Sequence, residues 1–199
     1  MLSSVMSRLQ DRRDAAADLG EDAGFTLIEL MVVLLILAIL LAIAIPTFLG
    51  VTGGANDRAS QSNLNTALTT AKAAESQNTN QVYTGITPAT LHANEPSISF
   101  VTGAVTAAGI VSVYVSSDGN GIVLASWSPA NSGTCWYVSD NTALVADATG
   151  PYTPSPSNPP ALVAGTTYGK SATGVTKANC TANAAIPAAV TWGTSFSAV

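Results

Sequence analysis

An acidic side chain lies inside the longest apolar stretch of this 199-residue chain. From Phe25 to Ile45, only Thr26 and Glu29 are polar. A carboxylate in such a stretch costs about 2.5–3.5 kcal/mol at mid-bilayer and less near an interface, so we expect it to have a partner. The chemistry that this pattern indicates is charge pairing in a medium of low dielectric constant. The alternative is a plain signal anchor in which Glu29 lies near the headgroups and has no function.

The residue types needed for catalysis or metal binding are sparse. His92 is the sole histidine, so a relay or a metal site would lack a second imidazole, and a surface position is expected. Asp118, Asp140 and Asp147 are interpreted as isolated acids in turns, and the sequence at 118–121 lacks the further carboxylates of a calcium loop. No Gly-rich phosphate loop or nucleophile elbow is present. We therefore expect no enzyme, no cofactor and no metal.

The apolar stretch at 25–45 is long enough to cross a bilayer as a single helix. Pro46 ends it and lacks a backbone N–H, which predicts a kink or a weakened turn. Gly50, Gly53 and Gly54 follow, each less favourable in a helix than Ala by about 1 kcal/mol. These glycines are expected to form either a flexible segment within the helix or a loop.

Helical signals return from about Asn56 to Gln77, and Asn56 or Asp57 can cap the start. Lys72 and Glu75 form an i, i+3 pair at the surface. A narrow, alanine-rich stripe with near-helical spacing is suited to packing on a sheet. It consists of Ala59, Leu64, Ala67, Leu68, Ala71 and Ala74.

The sequence Gly-Phe-Thr-Leu-Ile-Glu at 24–29 resembles the class III signal of type IV prepilins and pseudopilins. Pro46 and the polar helical continuation extend the likeness over the first 50 residues. In that family, a membrane prepilin peptidase cuts after the Gly and methylates the new amino terminus. The resemblance implies cleavage between Gly24 and Phe25, N-methylation of Phe25, and pairing of Glu29 with the terminal amine of a neighbouring subunit.

Elementary electrostatics agrees with the cleavage and the pairing that the resemblance implies. Cleavage after Gly24 creates a cationic amine at the apolar end of the helix, and an amine on one copy would neutralise the carboxylate of the next. Removal of one partner of a buried pair costs about 3–5 kcal/mol. Glu29→Ala or Glu29→Gln is therefore expected to impair assembly more than membrane insertion.

Residues 1–24 form a predicted leader outside the fold. Three arginines precede the apolar stretch and only Arg58 follows it closely, which predicts a cytoplasmic N-terminus and an external C-terminal body. Many leaders in the family are short and end in Lys or Arg, whereas this one is long and has Glu21-Asp22-Ala23 beside the cut. It resembles the leaders of Gram-positive type IV-like pilins.

The remainder of the chain has the signals of a β-rich domain. The segment 78–97 is expected to be a loop with a short turn of helix at Thr87-Pro88. The turn sequence at 118–121 predicts a hairpin over Ile110–Trp127. Pro151–Pro160 is expected to be an extended surface loop, either inert or a site of glycosylation or partner contact. Strands are predicted at Ser97–Val101, Ile110–Val115, Ile122–Trp127 and Thr134–Ser139, with a final strand at Val190-Thr191-Trp192.

Cysteine content and charge indicate an external protein. Cys135 and Cys180 both lie in the part expected outside, where a single disulfide is favoured over two unpaired buried thiols. Only 10% of residues are charged, which suits a surface that packs against copies of itself. From Phe25 onward there are four basic and seven acidic residues, so no basic face for nucleic acid is visible.

The predicted fold class is α+β: a long N-terminal helix packed through its second half on an antiparallel sheet. We expect a leader at 1–24, a hydrophobic transmembrane and assembly helix at 25–50, an amphipathic continuation at 51–80, and a globular β-rich head at 81–199.

Three hypotheses for function follow. The resemblance favours a type IV pilin that forms a helical homo-oligomeric filament for adhesion, motility or DNA uptake, after prepilin peptidase processing and with a separate assembly platform and ATPases. The second hypothesis is a pseudopilin of a type II secretion or competence machine. The third is a membrane-anchored binding module or enzyme, which predicts no cleavage at Gly24 and no polymer.

Overall fold

A computed structural model describes residues 25–147, 149–152, 160–183 and 190–199 of the chain. The predicted leader with Gly24, and the middle of the Pro-rich segment at 153–159, lie outside the described residues. Two compact units are distinguished, one ending at Thr47 and the other beginning at Phe48.

The long N-terminal helix, α1, spans Leu27–Ser76. Gly50, Gly53 and Gly54 lie inside it, so this glycine-rich stretch is helical and not a loop. Pro46 also lies within the helix, and the kink expected there stays a prediction. Because α1 runs through residues 56–57, neither of them caps a separate helix.

A second helix, α2, spans Pro88–Asn94. Thr87 is its N-cap, and Pro88 follows at the first helical position, where a missing N–H costs nothing. Thr87 and Thr90 exchange side-chain and backbone hydrogen bonds in a capping box. The short turn of helix predicted from Thr87-Pro88 is therefore present.

One sheet contains six strands in sequence order, and all neighbouring pairs except β1–β2 are antiparallel. The predicted antiparallel sheet is confirmed for four of the five neighbouring pairs, and the exception is β1 and β2, which are parallel. No tight turn signal separates them, and the segment 102–109 returns the chain to the end from which β1 began. The strands are β1 (Ser99–Val101), β2 (Ile110–Val115), β3 (Gly121–Ser128), β4 (Thr134–Asn141), β5 (Gly165–Lys170) and β6 (Thr191–Gly193).

The hairpin predicted over Ile110–Trp127 is formed by β2 and β3, with Val115 opposite Ile122. Its turn uses Gly119, whose φ of 74° is readily adopted only by glycine. Strand β5 was not anticipated from the sequence.

The sheet is covered on both faces within the unit that begins at Phe48. On one face, the second half of α1 packs through the part of the predicted stripe that begins at Leu64. Ala59 was wrongly placed in that stripe, because it is exposed and its neighbour Ser60 is buried instead. The other face contains the disulfide and a second apolar cluster. The first core includes Leu64, Ala67, Ala71, Val111, Val113, Leu124 and Val138, and the second includes Val105, Val123, Tyr137, Val145, Tyr152 and Val190.

Candidate functional site

The first turn of α1 contains Glu29 in a specific hydrogen-bonded arrangement. The Glu29 Oε2 atom accepts hydrogen bonds from the backbone N–H and the hydroxyl of Thr26, each at 2.8 Å. In return, the Glu29 backbone N–H donates to the Thr26 hydroxyl at 3.3 Å, while Leu30 N–H donates to the Thr26 carbonyl at 3.2 Å. Thr26 is therefore the N-cap of α1 and Glu29 is the third helical residue, a reciprocal capping box. Sequence reasoning missed this role, although Thr-x-x-Glu before an apolar run was its signal.

The capping box leaves part of the carboxylate available. A negative charge in the first turn interacts favourably with the positive end of the helix dipole. Within the described part of the chain, no hydrogen-bond donor reaches the other carboxylate oxygen of Glu29, Oε1. That atom can accept a hydrogen bond from an approaching cation without displacing Thr26.

The helix that follows this turn is apolar around its whole circumference. The large hydrophobic side chains from Phe25 to Ile45 are 48–88% exposed. Phe25, Glu29, Leu30 and Val33 line an open, apolar depression beside the carboxylate. A helix of this kind requires cover from lipid or protein. By length and composition, α1 is able to cross a membrane.

The predicted disulfide is confirmed. Cys135 on β4 is bonded to Cys180, with a Cα–Cα distance of 5.4 Å and both residues buried. The adjoining backbone is paired as well, because the Cys180 carbonyl accepts from Val105 N–H at 3.0 Å and the Cys135 carbonyl accepts from Ser171 N–H at 2.9 Å. The bond thus joins the chain after β5 to the middle of the sheet.

Asp118 and Asp147 are not isolated, which corrects the expectation from the sequence. Asp118 accepts from the Ser116 hydroxyl at 2.6 Å and from Ala146 N–H at 2.7 Å, besides Asn120 N–H at 3.1 Å. Asp147 accepts from the Tyr114 hydroxyl at 2.7 Å and from Ser117 N–H at 2.9 Å, so the two acids hold the 142–147 segment on the β2–β3 turn.

Their pKa values reflect these contacts. Partial burial alone would raise the pKa of Asp118, but hydrogen bonds from Ser116, Ala146 and Asn120 outweigh it and lower the pKa. Burial would likewise raise the pKa of Asp147, but hydrogen bonds from Thr149, Ser117 and Tyr114 outweigh it and lower the pKa to about 2. Each carboxylate is occupied by donors from its own loops, and the described residues contain no cluster of three metal-ligating side chains.

Asp140 corrects a second expectation, because it lies in β4 rather than in a turn and is nearly buried. Its Oδ1 atom is 2.8 Å from Lys72 Nζ. Tyr83 and Thr166 donate hydroxyl hydrogen bonds to the same carboxylate. Burial, followed by this contact with Asp140, raises the pKa of Tyr83 well above its usual range. The ion pair of Lys72 is therefore made across the helix–sheet interface and not with Glu75.

His92 lies on α2, with Nδ1 2.8 Å from the Ile98 carbonyl oxygen and its side chain exposed, as expected for a surface histidine. It contributes to an open pocket of about 380 Å³ between α2 and β1. The pocket is lined by Pro88, Ala89, His92, Ser99 and Phe100.

Comparison with known proteins bears on the first turn of α1. Residues 21–45 match the family model described as the prokaryotic N-terminal methylation motif. No curated protein and no solved structure matches the chain. The matched segment includes Thr26, Glu29 and the apolar part of α1, and ends before the unit that begins at Phe48. The chain therefore has a class III signal typical of type IV pilins and pseudopilins, followed by a long apolar helix and a mostly antiparallel sheet that are consistent with a pilin-like α+β fold.

Proposed function

We propose that this chain is a structural subunit of a type IV pilus-like surface filament. Prepilin peptidase cuts it after Gly24, and Phe25 becomes the N-methylated first residue of the mature subunit. One observation carries the proposal: the methylation motif at 21–45 coincides with a helix start where Thr26 holds the Glu29 carboxylate in front of an exposed apolar surface.

Filament formation buries the exposed apolar side chains of residues 25–45. In the precursor, lipid covers the side chains of residues 25–45. Once the subunit leaves the bilayer, the same segment of other copies offers an apolar cover of matching length. Because lipid is as apolar as these side chains, the preference for a protein bundle over lipid comes from close packing and from polar pairing, not from hydrophobic transfer.

The polar pairing is supplied by Glu29. Cleavage before Phe25 produces an α-amine one residue ahead of the N-cap, Thr26. No described residue donates a hydrogen bond to Glu29 Oε1. This atom accepts a hydrogen bond from the terminal amine of a neighbouring subunit, while Oε2 stays hydrogen-bonded to Thr26. Both charges are then compensated in the low-dielectric interior of the bundle, where an unpaired charge would be very costly.

The remaining parts of the proposal follow from the same segment. The precursor is a single-pass protein of the cytoplasmic membrane with its N-terminus in the cytoplasm, since the basic residues of the leader precede the apolar stretch. Mature subunits occur in an extracellular filament that serves adhesion, motility or DNA uptake. The assembly platform and the ATPases are separate proteins, consistent with the lack of a phosphate-binding loop in this sequence.

Intact mass and N-terminal sequencing of protein sheared from cells test this function. We expect a chain that begins at Phe25, is about 14 Da heavier than the unmodified sequence because of one added methyl group, and sediments as filaments. Gly24→Val is expected to abolish cleavage, with Ala23→Val as a matched control one residue away. Recovery of the wild type solely as a full-length, detergent-soluble monomer would refute the proposal.

A pseudopilin of a type II secretion or competence machine is the second candidate, because the methylation motif is typical of both classes. The two are distinguished by the product: long surface filaments in shear fractions for a pilin, and short assemblies retained in the cell envelope for a pseudopilin. For the third candidate, a membrane-anchored binding module or enzyme, the described residues offer no group of three metal-ligating side chains as support.

A further inference from the structure

Apart from Phe25 and α1, the exposed large hydrophobic side chains in the described part of the chain are gathered in one place. Leu144, Leu162 and Val163 are 66%, 38% and 63% exposed. They occupy two segments at the same end of the sheet, one after β4 and the other before β5. The segments are joined directly, because Val145 N–H donates to the Leu162 carbonyl at 2.8 Å. We refer to Leu144, Leu162 and Val163 as the apolar patch.

The apolar patch is held in a fixed conformation. The Asn141 amide donates to the Ala161 carbonyl at 2.6 Å and to the Val163 carbonyl at 3.2 Å. The Asn120 amide donates to the Leu144 carbonyl at 3.1 Å. A surface ordered in this way loses little conformational entropy on binding, which is the property of a contact surface. Neither 141–146 nor 160–164 contains a charged residue, so the surface that covers the patch is also expected to be uncharged.

The size of the patch argues against a free protein partner. Three partly exposed side chains offer far less than the about 800 Å² that each partner buries in a stable protein–protein interface. A patch of this size contributes where another interface already holds the two molecules together. In the proposed filament, the apolar segment at 25–45 supplies that other interface, so the occupant is a second copy of this chain.

The same unit offers a surface that can receive the patch. The open pocket of about 380 Å³ between α2 and β1 is lined by Pro88, Ala89 and Phe100, together with His92 and Ser99, and none of the five is an acid or a lysine or arginine. The pocket lies at the β1 edge, and the patch lies at the end of β4 and β5. Since neighbouring strands are about 4.8 Å apart, β1 and β4 are separated by about 14 Å across the sheet. The two surfaces are thus distinct regions of one molecule.

A contact between two different surfaces of identical molecules is heterologous, and it propagates into an open helical array unless the rotation closes a ring. We infer that, within the filament, the apolar patch of one subunit packs into the α2–β1 pocket of the next. This contact rests on the proposed filament function and specifies how the β-rich units contribute to it. It adds a second heterologous contact to the proposed pairing of Glu29 with the terminal amine of a neighbouring copy.

Cysteine cross-linking in filaments tests the contact. Leu162→Cys together with Ala89→Cys, in the full chain, places one thiol in the patch and one at the pocket. Sheared filaments treated with a mild oxidant are analysed by non-reducing gel electrophoresis. Each subunit carries both thiols, so the predicted contact yields a ladder that continues beyond dimers. The native disulfide is buried and does not compete.

The controls separate this contact from its alternatives. Ala89→Cys with Thr173→Cys keeps an exposed thiol but moves it to the opposite end of β5, and it is expected to give no ladder. Leu162→Cys alone is expected to stay monomeric on the gel, and dimers from this single variant would overturn the proposal in favour of a patch-to-patch contact.

A second variant keeps the proposal testable if the cysteine pair assembles poorly. Leu162→Asp is expected to lower the yield of sheared filaments at least several-fold while leaving cleavage after Gly24 unchanged. Wild-type filaments that give no ladder with the cysteine pair, or full filament yield with Leu162→Asp, would overturn the contact and leave the proposed function intact. If the wild type forms no filament at all, both proposals fail.

Discussion

Replacement of Asp147 by Asn tests how strongly one carboxylate holds the 142–147 segment on the β2–β3 turn. Asp147 Oδ2 accepts from the Tyr114 hydroxyl at 2.7 Å and from Ser117 N–H at 2.9 Å. Its Oδ1 accepts from the Thr149 N–H at 2.9 Å and hydroxyl at 2.6 Å. An Asn side chain has a single acceptor oxygen, so the donors on one side lose their partner.

The magnitude follows from the pKa of Asp147. Partial burial would raise this pKa, but the hydrogen bonds outweigh burial and lower the pKa from 3.8 to about 2. Since a tenfold change in proton affinity equals about 1.4 kcal/mol, this lowering corresponds to at most about 2.5 kcal/mol. Screening by the nearby solvent reduces it, and we expect Asp147→Asn to lower the free energy of unfolding at pH 7 by about 1–2 kcal/mol.

The lowered pKa also determines how the stabilising contribution of Asp147 changes with pH. Because the pKa of Asp147 is lower in the folded state, its stabilising contribution is complete above the pKa of the unfolded chain, near pH 4. The contribution is lost as the pH falls from there to about 2. The difference in unfolding free energy between wild type and Asp147→Asn is therefore expected to shrink over this interval.

Urea unfolding of the full chain in detergent measures this difference. All three tryptophans, at 127, 136 and 192, lie in the unit that contains Asp147 and report its unfolding by fluorescence. Tyr114→Phe serves as the matched control: it removes one donor and is expected to cost about 0.5–1 kcal/mol. An Asp147→Asn effect that is equal at pH 7 and pH 2.5 would contradict this account of the carboxylate.

Three further predictions concern other contacts. Replacing Cys135 and Cys180 together by Ala is expected to lower the free energy of unfolding by about 4 kcal/mol in a chain-entropy estimate, given their separation of 45 residues; a loss under about 1 kcal/mol in urea unfolding would contradict it. Lys72→Met leaves the nearly buried Asp140 carboxylate without its cation. We expect the free energy of unfolding to fall by only about 1–2 kcal/mol, because Lys72 is half-exposed and solvent screens its charge. A double-mutant cycle with Asp140→Asn that gives no coupling energy would rule out this ion pair as a stabilising contact. Glu29→Gln is expected to insert into membranes normally but to cut filament yield sharply, since it leaves the buried terminal amine without an anionic partner at a cost of about 3–5 kcal/mol; equal yields from wild type and variant in shear fractions would refute this.

Local signals in the sequence were sufficient for much of the fold. The apolar run predicted the first half of α1, and the turn sequence at 118–121 predicted the β2–β3 hairpin. Strand β5, at Gly165–Lys170, was missed because it contains two glycines and two threonines and has no alternation of apolar residues. Its position is set by pairing with β4 and β6, which is information from distant parts of the chain.

The same limit applies to polar contacts. Lys72 and Asp140 are far apart in sequence, and only the packing of α1 on the sheet brings them together. For that reason a local i, i+3 partner was assigned to Lys72 and a turn was assigned to Asp140. Asp57 is a similar case, since it was expected to cap a helix but accepts a hydrogen bond from Trp136 Nε1 at 3.0 Å.

In the candidate site, the sequence identified Glu29 but not its partner within the chain. Charge in an apolar run is visible from composition, whereas the exchange of hydrogen bonds with Thr26 depends on where the helix begins. Helix boundaries are among the least reliable predictions from sequence. The Thr-x-x-Glu spacing was a signal for this capping box, but the structure was needed to place the start of the helix at Leu27 and so to assign Thr26 as its N-cap.

The pairing of Glu29 with a terminal amine is directly visible in a helical reconstruction of wild-type filaments by electron cryomicroscopy. We expect a bundle of segments 25–45 in which each chain begins at Phe25 and its terminal amine lies within hydrogen-bonding distance of Glu29 Oε1 in a neighbouring copy. Filaments whose chains retain the leader, or in which Glu29 faces solvent away from every terminal amine, would contradict it.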